Sequence, residues 1–316
     1  MSGTTARRPR KSFYHRYVRP YWPVYLMLLP ALVTLAVFTY TPMPGVLLAF
    51  KKYSARKGLF GGAWVGLKNF RLLFTYADFW AALRNTVLIS VGRLLIEFPA
   101  AIMLALLLNE VRSARYRRTL QTVYTFPHFL SWIIVAGILK NILRRDGLLN
   151  ALLETLAIVG EPVNFLSSPS LFRPLIFITD IWKEVGWSSI IFMAAIAGVD
   201  EQLYEAALID GAGRFRQTLF ITLPCIAGTI AIMFILQVGN LLNAGFDQLF
   251  NMRNAIVMSE ASILDTYIYD MTFASAPDYS FSATIGLFKS VIGFVLILLA
   301  DRFSMLISGQ GMVAAK

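Results

Sequence analysis

The sequence predicts an all-α, polytopic membrane protein with six transmembrane helices. Three observations predict it: an excess of apolar residues over charge, six apolar stretches of crossing length, and basic residues gathered beside those stretches. The 316-residue chain is 57% hydrophobic and only 15% charged, with a mean hydropathy of +0.62. Soluble domains run about 45–50% apolar and about 25% charged. The same figures exclude a disordered chain, a collagen-like repeat and a disulfide scaffold. Cys225 is the one cysteine, so no internal disulfide is expected. The net charge of +11 invites a nucleic-acid reading. The basic residues lie beside apolar spans rather than along one helix face, so no nucleic-acid partner is expected.

Crossing a bilayer takes roughly 20 mainly apolar residues. The expected spans run over about 24–50, 86–108, 120–142, 174–199, 224–245 and 283–306. Residues 1–23 form a basic tail, in which Phe13–Trp22 mixes aromatic and basic residues as an interfacial helix does. The first span is too long for a cleaved leader, and Pro42 and Pro44 follow it instead of a small-residue cleavage site. Arg7, Arg8, Arg10, Lys11, Arg16 and Arg19 put the N-terminus in the cytoplasm by the positive-inside rule. Six crossings return the C-terminus there. Arg112, Arg115, Arg117 and Arg118 after span two agree; Lys51, Lys52, Arg56, Lys57, Lys68, Arg71 and Arg84 after span one do not. Leu148–Val159 is too short to cross and is expected as an external helix on the bundle. No internal repeat appears, and residues 24–316 read as a single domain.

Charge inside a span is costly and faces a cavity or a partner. In span two, Arg93 and Glu97 are four apart and pair on one face. In span four, Asp180, Lys183, Glu184 and Trp187 form one stripe. Two readings stay open for it. It is a translocation wall, whose carboxylates accept from sugar hydroxyls while the indole stacks on a sugar face. Or it is an internal Asp180–Lys183 pair that packs the bundle. Trp182 points elsewhere, as an anchor. In span five, Gln237 and Asn240 share a face that Ala244 completes, with Asp247 near the outer end, and this face is expected to line a cavity. Lys289 lies near the outer third of span six; with Arg93 it would attract an acidic sugar.

Enzyme chemistry finds no support. GxxxxGK[ST], GxGxxG, HExxH and CxxC are all absent, so no catalytic residue, metal set or bound cofactor is expected. His15 and His128 have no neighbouring ligands, and His128 beside Pro127 reads as an interfacial or packing histidine. Cys225 reads as a small buried apolar residue.

Residues 201–224 are too polar to cross. Glu201–Ile209 suits a short helix, Asp210-Gly211 a turn, and Arg214–Thr222 a second helix, with Pro224 leading into span five. This knuckle offers Leu203, Tyr204, Leu208, Phe215 and Phe220 for packing.

Glu205-Ala206-Ala207, Asp210-Gly211-Ala212 and the Ile221-x-Leu223-Pro224 end resemble the EAA loop of ABC importer permeases. Further segments extend the resemblance across nearly the whole chain: Gly66-Leu67-Lys68-Asn69-Phe70, Asp146-Gly147-Leu148-Leu149-Asn150, Gly245-Phe246-Asp247-Gln248 and Tyr279-Ser280-Phe281-Ser282-Ala283. They are similar to the LplB-type branch of the MalF-like sugar permeases, associated with complex and uronate-containing oligosaccharides such as alginate. The resemblance implies the type I ABC importer permease fold, MetI-like, in a bacterial cytoplasmic membrane. It implies that the loop over 201–222 is a cytoplasmic coupling helix, docking into an ATP-hydrolysing subunit through Glu205, Ala206, Ala207, Asp210, Gly211, Ile221, Leu223 and Pro224. The implied partners are a second, related permease, two ABC ATPase subunits holding ATP and Mg, an extracytoplasmic sugar-binding protein, an oligosaccharide, and membrane lipid. The rival is an ion-coupled secondary carrier using Asp180 and Glu97, which leaves the EAA match unexplained.

Overall fold

The computed structural model describes residues 19–54 and 56–308; the expected interfacial helix over Phe13–Trp22 falls mostly outside them. Among the described residues the chain is mostly helical. In order come α1 (Trp22–Leu35), a π turn (Ala36–Tyr40) and a 3-10 helix (Met43–Phe50). A two-residue hairpin, β1 (Lys51–Lys52) against β2 (Ala63–Trp64), precedes α2 (Lys68–Leu73). Then follow α3 (Ala77–Asn109), α4 (Ala114–Thr125), α5 (Trp132–Ile142), α6 (Leu148–Thr155) and α7 (Pro169–Ala197). The knuckle comprises α8 (Glu201–Ile209) and α9 (Arg214–Gln217), continued by a π turn (Thr218–Thr222) and α10 (Leu223–Cys225). The last elements are α11 (Ala227–Gly239), α12 (Phe246–Met252), α13 (Met258–Ala261), α14 (Leu264–Thr272) and α15 (Tyr279–Ser308).

Among the described residues, three helical segments are long and apolar enough to cross a membrane: Trp22–Phe50, Ala77–Asn109 and Tyr279–Met305. Two bent pairs make further candidates, Ala114–Phe129 with Trp132–Ile142 and Arg214–Cys225 with Ala227–Gly239. α7 has the length, at 29 residues, but carries Arg173, Asp180, Lys183 and Glu184.

Several expected boundaries are corrected. The third span is no straight rod over 120–142: it bends by 96° after Phe129. Leu130 and Ser131 are extended, and the Ser131 hydroxyl caps α5 by accepting from the Ile134 N–H. The fifth span does not reach from Pro224 to Gly245. Its helix starts at Ala227 after a 63° bend and stops at Gly239. Asn240 is its C-cap, and Ala244 is buried in the chain beyond. Pro42 and Pro44 lie within the first span, whose last turns they narrow to 3-10 form.

The frame is α3 lying along α7, with α4 against the opposite side of α7 and α15 against α11 and Met43–Phe50. Gly186 explains the α4–α7 approach: a Cβ there would collide with the Tyr124 carbonyl, so only glycine admits the crossing. One apolar cluster gathers Ile89, Phe172, Ile176, Leu249 and Met252 around the middle of the frame. Another joins Leu73, Phe79, Ala82, Leu264 and Phe281 under the hairpin. The hairpin is fastened there by Phe50 stacking on Trp64 at 5.7 Å and by the Tyr53 N–H donating to Ser280 Oγ at 2.9 Å. It carries Lys52, Arg56 and Lys57 exposed. In contrast, α1 buries none of its residues.

α3 is roughly 50 Å long by helical rise. The hairpin sits at its N-terminal end. At its C-terminal end Glu110 accepts from Arg214 of the knuckle at 2.8 Å. Hairpin and knuckle therefore lie at opposite ends of the bundle.

Candidate functional site

Two groups of residues stand out, one at an end of the bundle and one within it. At the end, Asp200 caps α8, its Oδ1 accepting from the Gln202 N–H at 3.0 Å. α8 stops because Gly211 takes a φ of +74°, a left-handed value glycine adopts without strain. The Ala212 N–H then returns to the Ala207 carbonyl at 2.8 Å. The Gln217 amide donates to the Ala212 carbonyl at 2.9 Å, and Tyr204 Oη lies 2.9 Å from Thr222 Oγ1. These bonds hold the two helices at a set angle. The rigid knuckle presents Ile209 at 88%, Phe215 at 80% and Phe220 at 71% exposure. Glu205, Ala206, Asp210, Gly211 and Pro224 are also exposed, while Ala207, Ile221 and Leu223 are half-buried. Tyr204 is engaged inward rather than offered to a partner.

Within the bundle, the α7 stripe is divided. Asp180 and Lys183 are buried. The Asp180–Lys183 pair, one of the two readings left open, does not form. Asp180 Oδ2 faces Arg93 Nε of α3 at 3.1 Å, and Arg93 also donates to Gln248 of α12. Gln248 is fully buried and returns to α7, donating to the Ile176 carbonyl and Thr179 Oγ1, each at 2.9 Å. Arg93 thus ties three elements together. Its expected pairing with Glu97 is the looser contact: Glu97 Oε1 stands 3.8 Å from Arg93 Nε and accepts no hydrogen bond. Lys183 donates to Glu184 Oε1 at 2.8 Å and to the His128 carbonyl at 2.9 Å.

The other half of the stripe opens outward. His128 Nδ1 lies 2.6 Å from Glu184 Oε2, and the His128 ring stacks on Trp187 at 4.5 Å. Phe129 meets Trp187 edge-on at 5.8 Å. Trp187 and Phe129 remain 45% and 69% exposed. The arrangement is an aromatic shelf with a carboxylate at its side. Sequence reasoning missed His128, Phe129 and Gln248. His128 and Glu184 are 56 residues apart, so no local pattern joins them; Gln248 lay in the Phe-Asp-Gln segment read only for kinship.

The remaining candidates separate. Gln237, Asn240 and Asp247 are exposed, but Asn240 and Asp247 lie beyond the end of α11. Asn240 donates to the Leu236 carbonyl at 3.0 Å and accepts from Asn243 at 3.1 Å. Lys289 is paired with Asp265 of α14, so it is not a free attractant; Arg93 is committed likewise. Cys225 is exposed, contrary to the buried position expected of it. Among the described residues, no three His, Cys, Asp or Glu side chains gather as metal ligands.

Residues 97–308 match the family of binding-protein-dependent transport system inner membrane components. Protein LplB of Bacillus subtilis (strain 168) is 46% identical over 290 residues, covering 92% of this chain and 90% of its own length. The polygalacturonan/rhamnogalacturonan transport system permease protein YteP of the same strain is 43% identical, covering 91% and 89%. The crystal structure of a bacterial ABC transporter involved in the import of the acidic polysaccharide alginate superposes with a TM-score of 0.84 at 35% identity, covering 94% of this chain and all of the matched one. The same transporter type, in complex with an alginate pentasaccharide-bound periplasmic protein, matches at 0.84 and 36% identity over 95% of this chain. A helical, membrane-embedded chain that matches over two thirds of its length, and its relatives over nine tenths, belongs to the binding-protein-dependent transport system inner membrane component family.

Proposed function

We propose that this chain is one of two membrane subunits of an ATP-driven importer for acidic oligosaccharides, and that the knuckle couples it to an ATPase. The rigid knuckle with Ile209, Phe215 and Phe220 bare carries the reading. A stiff, apolar, solvent-facing element at the end of α7 is what a partner must grip to move a bundle. Two ATPase subunits bind ATP and Mg and act on Glu205 through Gly211. A second, related permease completes the path, and an external binding protein delivers the sugar. The knuckle and both termini face the cytoplasm, and the hairpin faces out.

The substrate class follows the names of the relatives, polygalacturonan/rhamnogalacturonan and alginate. The aromatic shelf supports a sugar path: a pyranose face stacks on Trp187 and Phe129 while Glu184 accepts from its hydroxyls. Gln237, Asn240 and Asp247 offer neutral and acidic contacts further along. Arg93, Asp180 and Lys183 hold this wall in shape from behind.

The test is purification in mild detergent from the native genome, with every co-purifying chain identified by mass spectrometry, for the wild type and for Glu205→Lys and Gly211→Pro. The expected result is a wild-type complex with an ATPase and a second permease, and loss of the ATPase alone in both variants. A chain that purifies alone and transports alone on an ion gradient overturns the reading in favour of the secondary carrier.

A further inference from the structure

The four arginines after α3 have no use in the coupling or the path. Arg112 precedes α4, and Arg115, Arg117 and Arg118 occupy its first turns, which hold no acid. The N-terminal end of a helix is the positive end of its dipole, and cations there are repelled. Ordinary sequences put Asp or Glu at such a place. None of the four arginines forms an ion pair among the described residues. The adjacent acid, Glu110, is taken by Arg214.

These charges edge a cavity. A hollow of about 280 Å³ opens between the ends of α3, α4 and α7, lined by Asn109, Arg117, Arg118, Gln121 and Ala197. Arg118 is also the wall of a neighbouring hollow of about 360 Å³, which Arg115 lines with Thr119 and Thr122. Neither hollow has a carboxylate in its lining. The two threonines donate to carbonyls of their own helix, at 3.1 and 3.0 Å. What remains free is a fan of guanidinium and amide donors, the chemistry that recognises a phosphate. Leu107 of α3 and Val123 of α4, within two turns of the arginines on their own helices, are exposed at 63% and 61%. Apolar surface beside unpaired guanidinium at a bundle end matches the depth at which acyl chains meet headgroups.

We propose that this cavity binds a phosphate ester, supplied by the headgroup of an acidic phospholipid in the leaflet on the knuckle side. The assignment of that leaflet as cytoplasmic rests on the importer reading; the cavity and its charge do not. Because Ala197 ends α7 just before the knuckle and Glu110 holds Arg214, the bound headgroup steadies the coupling element.

The test uses the intact complex in nanodiscs of phosphatidylcholine with or without phosphatidylglycerol, for the wild type and for a double variant, Arg117→Gln with Arg118→Gln. Native mass spectrometry counts retained phosphatidylglycerol, a readout that does not depend on transport. The expected result is phosphatidylglycerol retained by the wild type and lost from the variant, with sugar-stimulated ATP hydrolysis raised at least about fivefold by this lipid in the wild type only. Equal retention by both proteins overturns the site. Equal stimulation by glycerol phosphate added to phosphatidylcholine discs overturns the lipid source. Loss of the ATPase subunits from the variant in discs of phosphatidylcholine alone, where the wild type keeps them, also overturns the proposal, because the arginines would then be a protein contact. Failure of the importer reading itself shows differently, as a complex that retains the lipid but hydrolyses no ATP.

Discussion

The knuckle and the α7 stripe are both polar insertions in an apolar chain, and they dispose of their polarity in opposite ways. The knuckle satisfies its backbone locally, through the Asp200 cap and the Gly211 turn, and leaves its side chains outside. The stripe buries Asp180 and Lys183 and satisfies them from other elements, Asp180 from Arg93 of α3, which Gln248 of α12 braces, and Lys183 in part from the His128 carbonyl. A locally satisfied element moves as a unit when pushed. A cross-braced one resists. The difference teaches how one chain provides a handle and a frame: the handle needs bonds within itself, and the frame needs bonds between helices.

The contrast breaks at Arg93. Removing one partner of a buried pair leaves the other uncompensated, at about 3–5 kcal/mol. Arg93→Ala should therefore lower the thermal stability of the purified complex more than any single change in the knuckle. A melting temperature equal to wild type would show that Asp180 finds another partner. Phe215→Ala should do the reverse. Losing an exposed anchor at an interface costs about 2 kcal/mol or more, so about thirtyfold weaker ATPase retention is expected, with the melting temperature of the permease unchanged. A stability loss without a retention loss would make Phe215 a packing residue. Trp187 sharpens the division inside the stripe, being its exposed member. Trp187→Ala removes a stacking surface of about 1 kcal/mol. The half-saturating sugar concentration for uptake should rise about fivefold, with stability held. No change in that concentration would leave the shelf without a role in passage.

How much was legible follows from the same contrast. The knuckle was readable because every signal for it is local: helix formers over Glu201–Ile209, then Asp210-Gly211. Even its continuation past Thr222 to Cys225 departs little from the expected second helix. The stripe was readable only as a face. Periodicity put Asp180, Lys183, Glu184 and Trp187 together, but a helical period names no neighbour. Lys183 is three residues from Asp180, yet it is Arg93 that holds Asp180, because α3 lies along α7 and brings a guanidinium alongside. The bends escaped for another reason. The 96° turn falls at Leu130-Ser131, where both residues are extended and Ser131 caps α5, a break that the mean hydropathy of 120–142 does not mark. Lys289 looked free because Asp265, 24 residues earlier, belongs to a helix that hydropathy does not mark.

The hairpin end of the molecule bears on how the chain is made. Between Lys51 and Tyr76 there are six lysines and arginines and no aspartate or glutamate. In the proposed orientation, with the knuckle in the cytoplasm, this segment would be carried outward during synthesis, against a membrane potential that is negative inside. Each elementary charge works against about 2.3 kcal/mol per 100 mV, so six oppose export by about 14 kcal/mol at that potential. In that orientation the segment would cross after α1, none of whose residues is buried against the rest of the chain. Its translocation is thus work done by the insertion machinery, and collapsing the potential should ease this step of biogenesis rather than hinder it.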